Sequence, residues 1–325
     1  MKTIGFFNNK GGVGKTSLVY HVAWMLAEIG IRVVTIDLDP QANLTSMFLS
    51  EERLEELWAV PTPPTIYGAV SLQFRGVSDV QPPHIEPISD NIGLVVGDLA
   101  LSGIEDDLSA AWPKCQTRDE RSFRVMSAFA RTIATAGALH GAEIALVDVG
   151  PNLGALNRAA LLACDVVAVP LGADLFSLQG LRNMGPTLRE WRTVWNEVRP
   201  KNPDPTLTLP AGTMRPIGYV VMRHSVTAGR PARAYGKWIG RMPEQYRLYV
   251  LNSPAAQPSD IAEDPNCLAQ LKDYRSLMPL AQEAHKPMFL LRPGDGAFGG
   301  HQMAVTRCYD DFEALTKRIL TQSAP

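Results

Sequence analysis

The sequence predicts an α/β fold: a doubly wound, mostly parallel sheet flanked by helices. Two observations carry that expectation. Short runs rich in Val, Ile and Leu recur without alternating polar residues, as strands covered on both faces require. Between them lie longer segments whose apolar residues return at helical spacing. Strands and helices in alternation give parallel crossover units. At 325 residues, 46% apolar and 20% charged, with net charge −2, the chain is long enough to bury about 75% of its unfolded surface without a disulfide or metal staple. That composition excludes intrinsic disorder and a surface coated throughout in basic residues.

In chain order, the strand-like runs are Thr3 to Asn8, Arg32 to Asp37, Ile92 to Val96, Ile144 to Val149, Val166 to Pro170, Ile217 to Met222, Leu248 to Leu251 and Met288 to Leu291. Leu18, Val22, Met25, Leu26 and Ile29 share one helical face, and 121–139, 154–163, 174–199 and 302–320 read the same way. The proline-rich stretches 59–90 and 200–216 and the polar, acidic 253–273 are too short to separate independent cores. They are read as surface excursions of one domain, residues 1–325. Cys115, Cys164, Cys267 and Cys308 lie far apart, with no CxxC and no histidine at ligand spacing, so reduced, buried thiols are expected. No run of 18 apolar residues and no signal peptide is present, which predicts a cytoplasmic protein.

The densest chemistry follows the first strand. Lys10-Gly11-Gly12-Val13-Gly14-Lys15-Thr16-Ser17 leads straight into the first amphipathic helix, the order a phosphate cradle needs. Glycines let successive backbone N–H groups face phosphate oxygens, Lys15 adds a charge at the β and γ phosphates, and the Thr16 hydroxyl can ligate Mg²⁺. A chance match of this length and composition is on the order of one in ten thousand. The loop departs from the usual pattern in having Asn9 where a glycine is common, and a second lysine, Lys10, opens it.

On these residues the chain resembles the ParA/MinD class of P-loop ATPases, whose deviant Walker A motif reads KGGVGKT. The likeness extends to Asp37-Leu38-Asp39-Pro40-Gln41-Ala42-Asn43-Leu44-Thr45, similar to the DxDPQ switch of ParA proteins. It continues through Leu146-Val147-Asp148-Val149-Gly150-Pro151-Asn152-Leu153-Gly154, Asp165 to Pro170, and Phe176 to Leu181. Motif-level similarity thus spans residues 1–185. The resemblance implies a P-loop NTPase fold, ATP with Mg²⁺, and a dimer in which two subunits sandwich their nucleotides. It implies that Lys10 reaches the partner's phosphates as a finger in trans; comparable arginine fingers are worth ~10³ to 10⁵ in rate. By the same resemblance Asp39 orients the attacking water, Asp37 approaches the magnesium shell, Asp148 holds Mg²⁺ through water, and Gly150 and Pro151 belong to the γ-phosphate-sensing switch loop. Both Asp37 and Asp39 follow a strand at the carboxyl edge, where open α/β sheets bind ligands.

Branches of the class differ in what surrounds this core. The last helix mixes Asp310, Asp311, Glu313, Lys317 and Arg318, so a basic membrane-lying helix is not expected. Cluster cysteines, a duplicated domain and a tyrosine-rich tail are absent from the sequence. Between Arg215 and Arg247 stand seven basic residues against the single acid Glu244, while the rest of the chain carries a net −8. That asymmetry makes Arg223, Arg230, Arg233, Lys237 and Arg241 candidates for nonspecific DNA contacts, with Tyr235, Trp238, Tyr246 and Tyr249 expected in packing. The Gly-rich segment 286–301 either bends over the nucleotide or connects a strand to the closing helix, the connector being the favoured reading. The leading expectation is an ATP-driven positioning ATPase, nucleoid-associated and reset by an activating adaptor protein. Its rivals are an ATP-dependent dimeric switch that recruits a protein complex without DNA, and an amide-forming ligase sharing the phosphate loop.

Overall fold

Six of the eight described strands begin within two residues of the start of an apolar run. In the computed structural model, which describes residues 1–222, 232–253, 260–274 and 276–324 (of 232–235 the backbone alone), β1 (Lys2–Phe6) leads through the glycine loop to α1 (Lys15–Glu28) and β2 (Val33–Asp37). Then come α2 (Asn43–Phe48), α3 (Glu51–Trp58) and α4 (Ile66–Phe74), the hairpin β3 (Glu86–Ser89) and β4 (Ile92–Val95), and α5 (Glu105–Lys114), α6 (Glu120–Met126) and α7 (Ala128–His140). The second half runs β5 (Ile144–Asp148), α8 (Ala155–Leu162), β6 (Val166–Gly172), α9 (Leu175–Val198), β7 (Arg215–Met222), α10 (Ala232–Ile239), α11 (Met242–Gln245), β8 (Cys267–Leu271), α12 (Met278–Glu283) and α13 (Gly300–Ser323).

Among the described residues these strands form one sheet in the order β3-β4-β2-β5-β1-β6-β7-β8. Every pairing is parallel except β3 with β4, so the doubly wound expectation holds. Residues in a strand point alternately to opposite faces, and both faces are buried. Ile4, Phe6 and Leu146 pack with α1 and α13 on one side. Val34, Ile36, Ala145 and Val147 pack with α4 to α9 on the other. All four cysteines are free and buried. No described helix is long and apolar enough to cross a membrane.

The structure corrects several expectations. Leu248 to Leu251 is not a strand; most of it belongs to a π-helical turn, Tyr246–Val250, packed on α9. Met288 to Leu291 is a 3₁₀ turn at Met288–Leu290 that follows α12, so 286–301 links helix to helix. A four-residue apolar run is too short for its period to separate strand from helix. Conversely, β8 lies inside the acidic 253–273 stretch, and β3 and α4 lie inside 59–90. Each is an edge or flanking element whose polar surroundings mask it. The helix expected over 121–139 is two, broken at Ser127, whose hydroxyl accepts from Arg131 Nε at 3.2 Å.

Candidate functional site

Sheet register gathers the candidate residues before any side chain is considered. Asp37 pairs with Asp148 across β2 and β5, and Asp148 with Phe6 across β5 and β1. The phosphate loop and both carboxylate-bearing switch segments therefore leave the sheet side by side at its carboxyl edge. After β1, the Phe7 N–H still donates to the Ala168 carbonyl at 3.1 Å. Asn8 fixes the loop by donating from Nδ2 to the Pro170 carbonyl (2.6 Å) and accepting the Lys10 N–H on Oδ1 (3.0 Å). Gly14, at φ 89°, is the N-cap of α1, a left-handed conformation that a Cβ resists. No side chain caps α1 and no acid stands in its first turn. Its first N–H groups and the positive end of its dipole are therefore available to an anion.

Lys15 is buried just behind that end. Burial lowers its ammonium pKa, while the nearby Asp148 and Asp39 carboxylates oppose the shift. Asp148 is fully buried, and neither carboxylate oxygen has a hydrogen-bond partner within normal geometry. Burial and then the Asp37 charge push its pKa up to about 8, with the Thr16 hydroxyl and Lys15 favouring the charged form. An orphaned buried carboxylate beside a threonine hydroxyl and a phosphate cradle is a donor set for a hard cation. Thr16 and Asp148 thus fit Mg²⁺ held mainly by nucleotide oxygens. Among the described residues no group of three acidic, His or Cys side chains gathers to cage a metal alone, and Mg²⁺ commonly uses one or two protein carboxylates plus phosphate and water.

Asp37, expected beside the magnesium shell, is engaged by donors of its own chain. Its Oδ2 accepts the Thr45 N–H (2.9 Å) and the Thr45 hydroxyl (2.8 Å), and its Oδ1 accepts the Asp39 N–H (3.2 Å). Burial, chiefly, raises its pKa to about 6 against those donors. The carboxylate therefore holds the segment 39–45 in place. Asp39 is buried, accepts the Gln41 N–H on Oδ1 (3.0 Å), and faces the second switch loop: a Cβ on Gly150 would stand 3.4 Å from that oxygen. Asn157 ties the loop by donating from Nδ2 to the carbonyls of Gly150 (2.8 Å) and Asn152 (2.7 Å), while Pro151 is exposed.

Lys10 is paired in its own chain with Asp174, at the start of α9, and lies 5.9 Å from the Phe176 ring centroid. Leu175 and Phe176 are 52% and 72% exposed there. Thr45, Glu105, Asn157 and Asp174 join the site without a role legible in the sequence. Asp174 followed by Ser177 carries a helix-cap signal, and Thr45 closes the quoted switch motif. Glu105 carries no local signal, because its contacts lie 50 residues away.

A cavity of about 440 Å³ opens beside the loop, lined among others by Gly14, Ser17, Met222, Asp273, Met278 and Pro279. Of the basic candidates, Arg223 and Arg230 lie outside the described residues, as does the Arg233 side chain. Lys237 is exposed, and Lys237 and Arg241 flank Trp238, with cations 5.3 and 5.8 Å from its ring. Tyr246 is fully buried, as packing requires.

The family described as AAA domain (AAA_31) matches residues 1–198. The chain is 30% identical over 192 residues to protein IncC of Escherichia coli, covering 59% of this chain and 47% of that protein. It is 31% identical over 200 residues to the chromosome partitioning protein ParA of Caulobacter vibrioides, covering 60% of this chain and 65% of that one. The chain spans about half to two thirds of the length of these curated relatives. In three dimensions it resembles the crystal structure of protein DIP2308 from Corynebacterium diphtheriae, with TM-score 0.72, 23% identity, and coverage of 99% of this chain and 98% of the other.

Proposed function

The chain belongs to the ParA/MinD family of P-loop ATPases, and from that premise we propose that it is a Mg²⁺-dependent, slowly hydrolysing ATP switch that dimerises on ATP, binds DNA nonspecifically and positions or partitions a cargo. The observation that carries the ATP part is the uncapped start of α1 set against buried Lys15 and the unpartnered Asp148 carboxylate. That arrangement offers donors and a cation to phosphate on one side and a cation-seeking carboxylate on the other. The N–H groups of the loop from Gly11 to Ser17 and the Lys15 ammonium take the phosphates, while the Lys10 N–H stays on Asn8 Oδ1. Thr16 and Asp148 hold Mg²⁺, which supplies charge neutralisation on the β and γ phosphates. Asp39 orients the attacking water beside Gly150 and Pro151, and Asp37 keeps Asp39 in place through its amide. The 440 Å³ cavity takes the nucleoside, because it opens directly from Gly14 and Ser17. Lys10, released from Asp174, reaches the phosphates of a second copy.

The basic surface carrying Lys237 and Arg241 with Trp238 supports the DNA part, together with Arg223, Arg230 and Arg233 from the same stretch of sequence. The protein works in the cytoplasm, on the nucleoid, and an adaptor protein resets it by stimulating hydrolysis. The test is retention on nonspecific DNA without nucleotide, with ADP and with ATP, over a salt series. Wild type and Asp39→Ala, which traps the ATP dimer, are expected to bind with ATP alone. An Arg230→Ala/Arg233→Ala/Lys237→Ala triple variant is expected to lose binding, and each lost phosphate contact should reduce the salt slope by about 1. ATP-dependent dimers that ignore DNA at low salt would replace this reading with a switch that recruits a protein complex.

A further inference from the structure

One stretch of chain, residues 97–105, touches both switch segments. At its start the Gly97 N–H donates to Thr45 Oγ1 at 2.8 Å, the hydroxyl that itself donates to Asp37 Oδ2. At its end Glu105 straddles the first turn of α8: Oε1 accepts the Ala155 N–H at 2.6 Å and Oε2 the Leu156 N–H at 2.8 Å. Between these ends the chain is firmly held. Asp98 Oδ1 accepts the Ala100 N–H (2.8 Å) and caps the 3₁₀ turn Leu99–Ile104, its Oδ2 accepts the Thr65 hydroxyl (2.6 Å), and Leu101 and Ile104 are buried.

The N-cap of α8 is Gly154, which has no side chain to offer, so Glu105 supplies the acceptor and the negative charge that a helix start favours. The same contact dictates the glycine: a Cβ on Gly154 would come within 2.5 Å of Glu105 Oε1. Moving the start of α8, and with it the end of the loop at Gly154, must either carry Glu105 along or strand a half-buried carboxylate and two helix amides, a costly loss of charge-assisted bonds.

We propose that Glu105 is the positioning residue of the second switch loop, and that residues 97–105 strap this loop to Thr45 of the first so that the two segments shift together. The catalytic consequence rests on the ATPase reading; the mechanical coupling does not. In the nucleotide-free full chain, Glu105→Ala should speed amide exchange over 149–157 and also over 42–48, leaving α1 and α13 unchanged. Exchange altered only at 155–156, or not at all, would overturn the strap.

In steady-state turnover, Glu105→Ala should lower kcat by at least about tenfold, as a small misplacement of reacting groups does, with KM for ATP within about twofold. Glu105→Gln, which keeps an acceptor for one amide, should recover part of that loss and carries the test if the alanine variant folds poorly. Gly154→Ala should impair the wild-type background, and the impairment should be smaller beside Glu105→Ala, where only the 2.9 Å approach of the new Cβ to Asn152 Oδ1 is left. Wild-type hydrolysis with kcat unmoved in both Glu105 variants rejects the positioning role. Absence of hydrolysis in wild type rejects the ATPase reading, and the exchange measurement still decides the strap.

Discussion

Asp174 caps α9 with one carboxylate oxygen, accepting the Ser177 N–H at 2.9 Å, and holds the Lys10 ammonium with the other. Burial pushes its carboxyl up, but Lys10 and the amides of Ser177 and Phe176 together draw it below its ordinary value. Lys10 therefore has a partner in its own chain, which it would have to leave in the proposed dimer. Both side chains are about one third exposed, which limits such a pair to at most about 1 kcal/mol. Asp174→Asn keeps the cap and removes the charge. Its ATP-dependent dimer should form at about two- to fivefold lower protein concentration, which light scattering against concentration would read. Lys10→Ala should abolish dimer and hydrolysis with little change in melting temperature; an unchanged ATPase rate would remove Lys10 from the mechanism.

At the scale of elements, α9 shows how the proline-rich excursion after it is secured. Trp195, near its end, is fully buried, stacks on Trp112 with ring centroids 6.1 Å apart and planes at 13°, and donates from Nε1 to the Pro210 carbonyl at 2.9 Å. Arg124 joins the same excursion to the other one by pairing with Asp204 (2.6 Å) and Asp79 (3.3 Å). These stretches are irregular in sequence yet anchored in the core. Trp195→Phe leaves the Pro210 carbonyl without its donor and a small void, a cost of about 2 kcal/mol that urea unfolding would measure. A change under about 0.5 kcal/mol would show that the anchor is dispensable.

For the whole molecule, His21 joins the phosphate-loop helix to the C-terminal elements. It is fully buried on α1 and stacked on Phe312 of α13 at 4.9 Å. Nδ1 donates to the Ser17 carbonyl at 2.6 Å, and Nε2 accepts the Met288 N–H at 3.2 Å. That pattern admits only the neutral ring, since a proton on Nε2 would face another donor. Burial accordingly lowers the pKa from 6.5 to about 4. As pH falls, the unfolded chain takes the proton first, so this stability is complete above about 6.5 and is lost between about 6.5 and 4. The loss amounts to about 3 kcal/mol. Melting curves from pH 7 to 4.5 should fall more steeply for wild type than for His21→Gln; parallel curves would remove His21 as the cause.

Much of this was legible in the residues. The glycine loop, Lys15 and Asp37, Asp39 and Asp148 at the strand ends are contiguous motifs, and apolar runs such as Ile144 to Val149, alternating with long helical segments, fit strands covered on both faces. Local chemistry and period encode such features, so the parallel sheet, the glycine loop and the carboxylates beside it are written in the residues themselves. Tertiary structure alone decided what depends on distant partners. It made Leu248 to Leu251 part of a π-turn and Cys267–Leu271 a strand, because packing on α9 and pairing with β7 outweigh four or five residues of weak pattern. It committed Asp37 to Thr45, left Asp148 unpartnered, and brought Glu105 to α8 across 50 residues of chain. Each of those outcomes follows from strand register and helix docking, which fix where a side chain's partners stand and which no local run of sequence encodes.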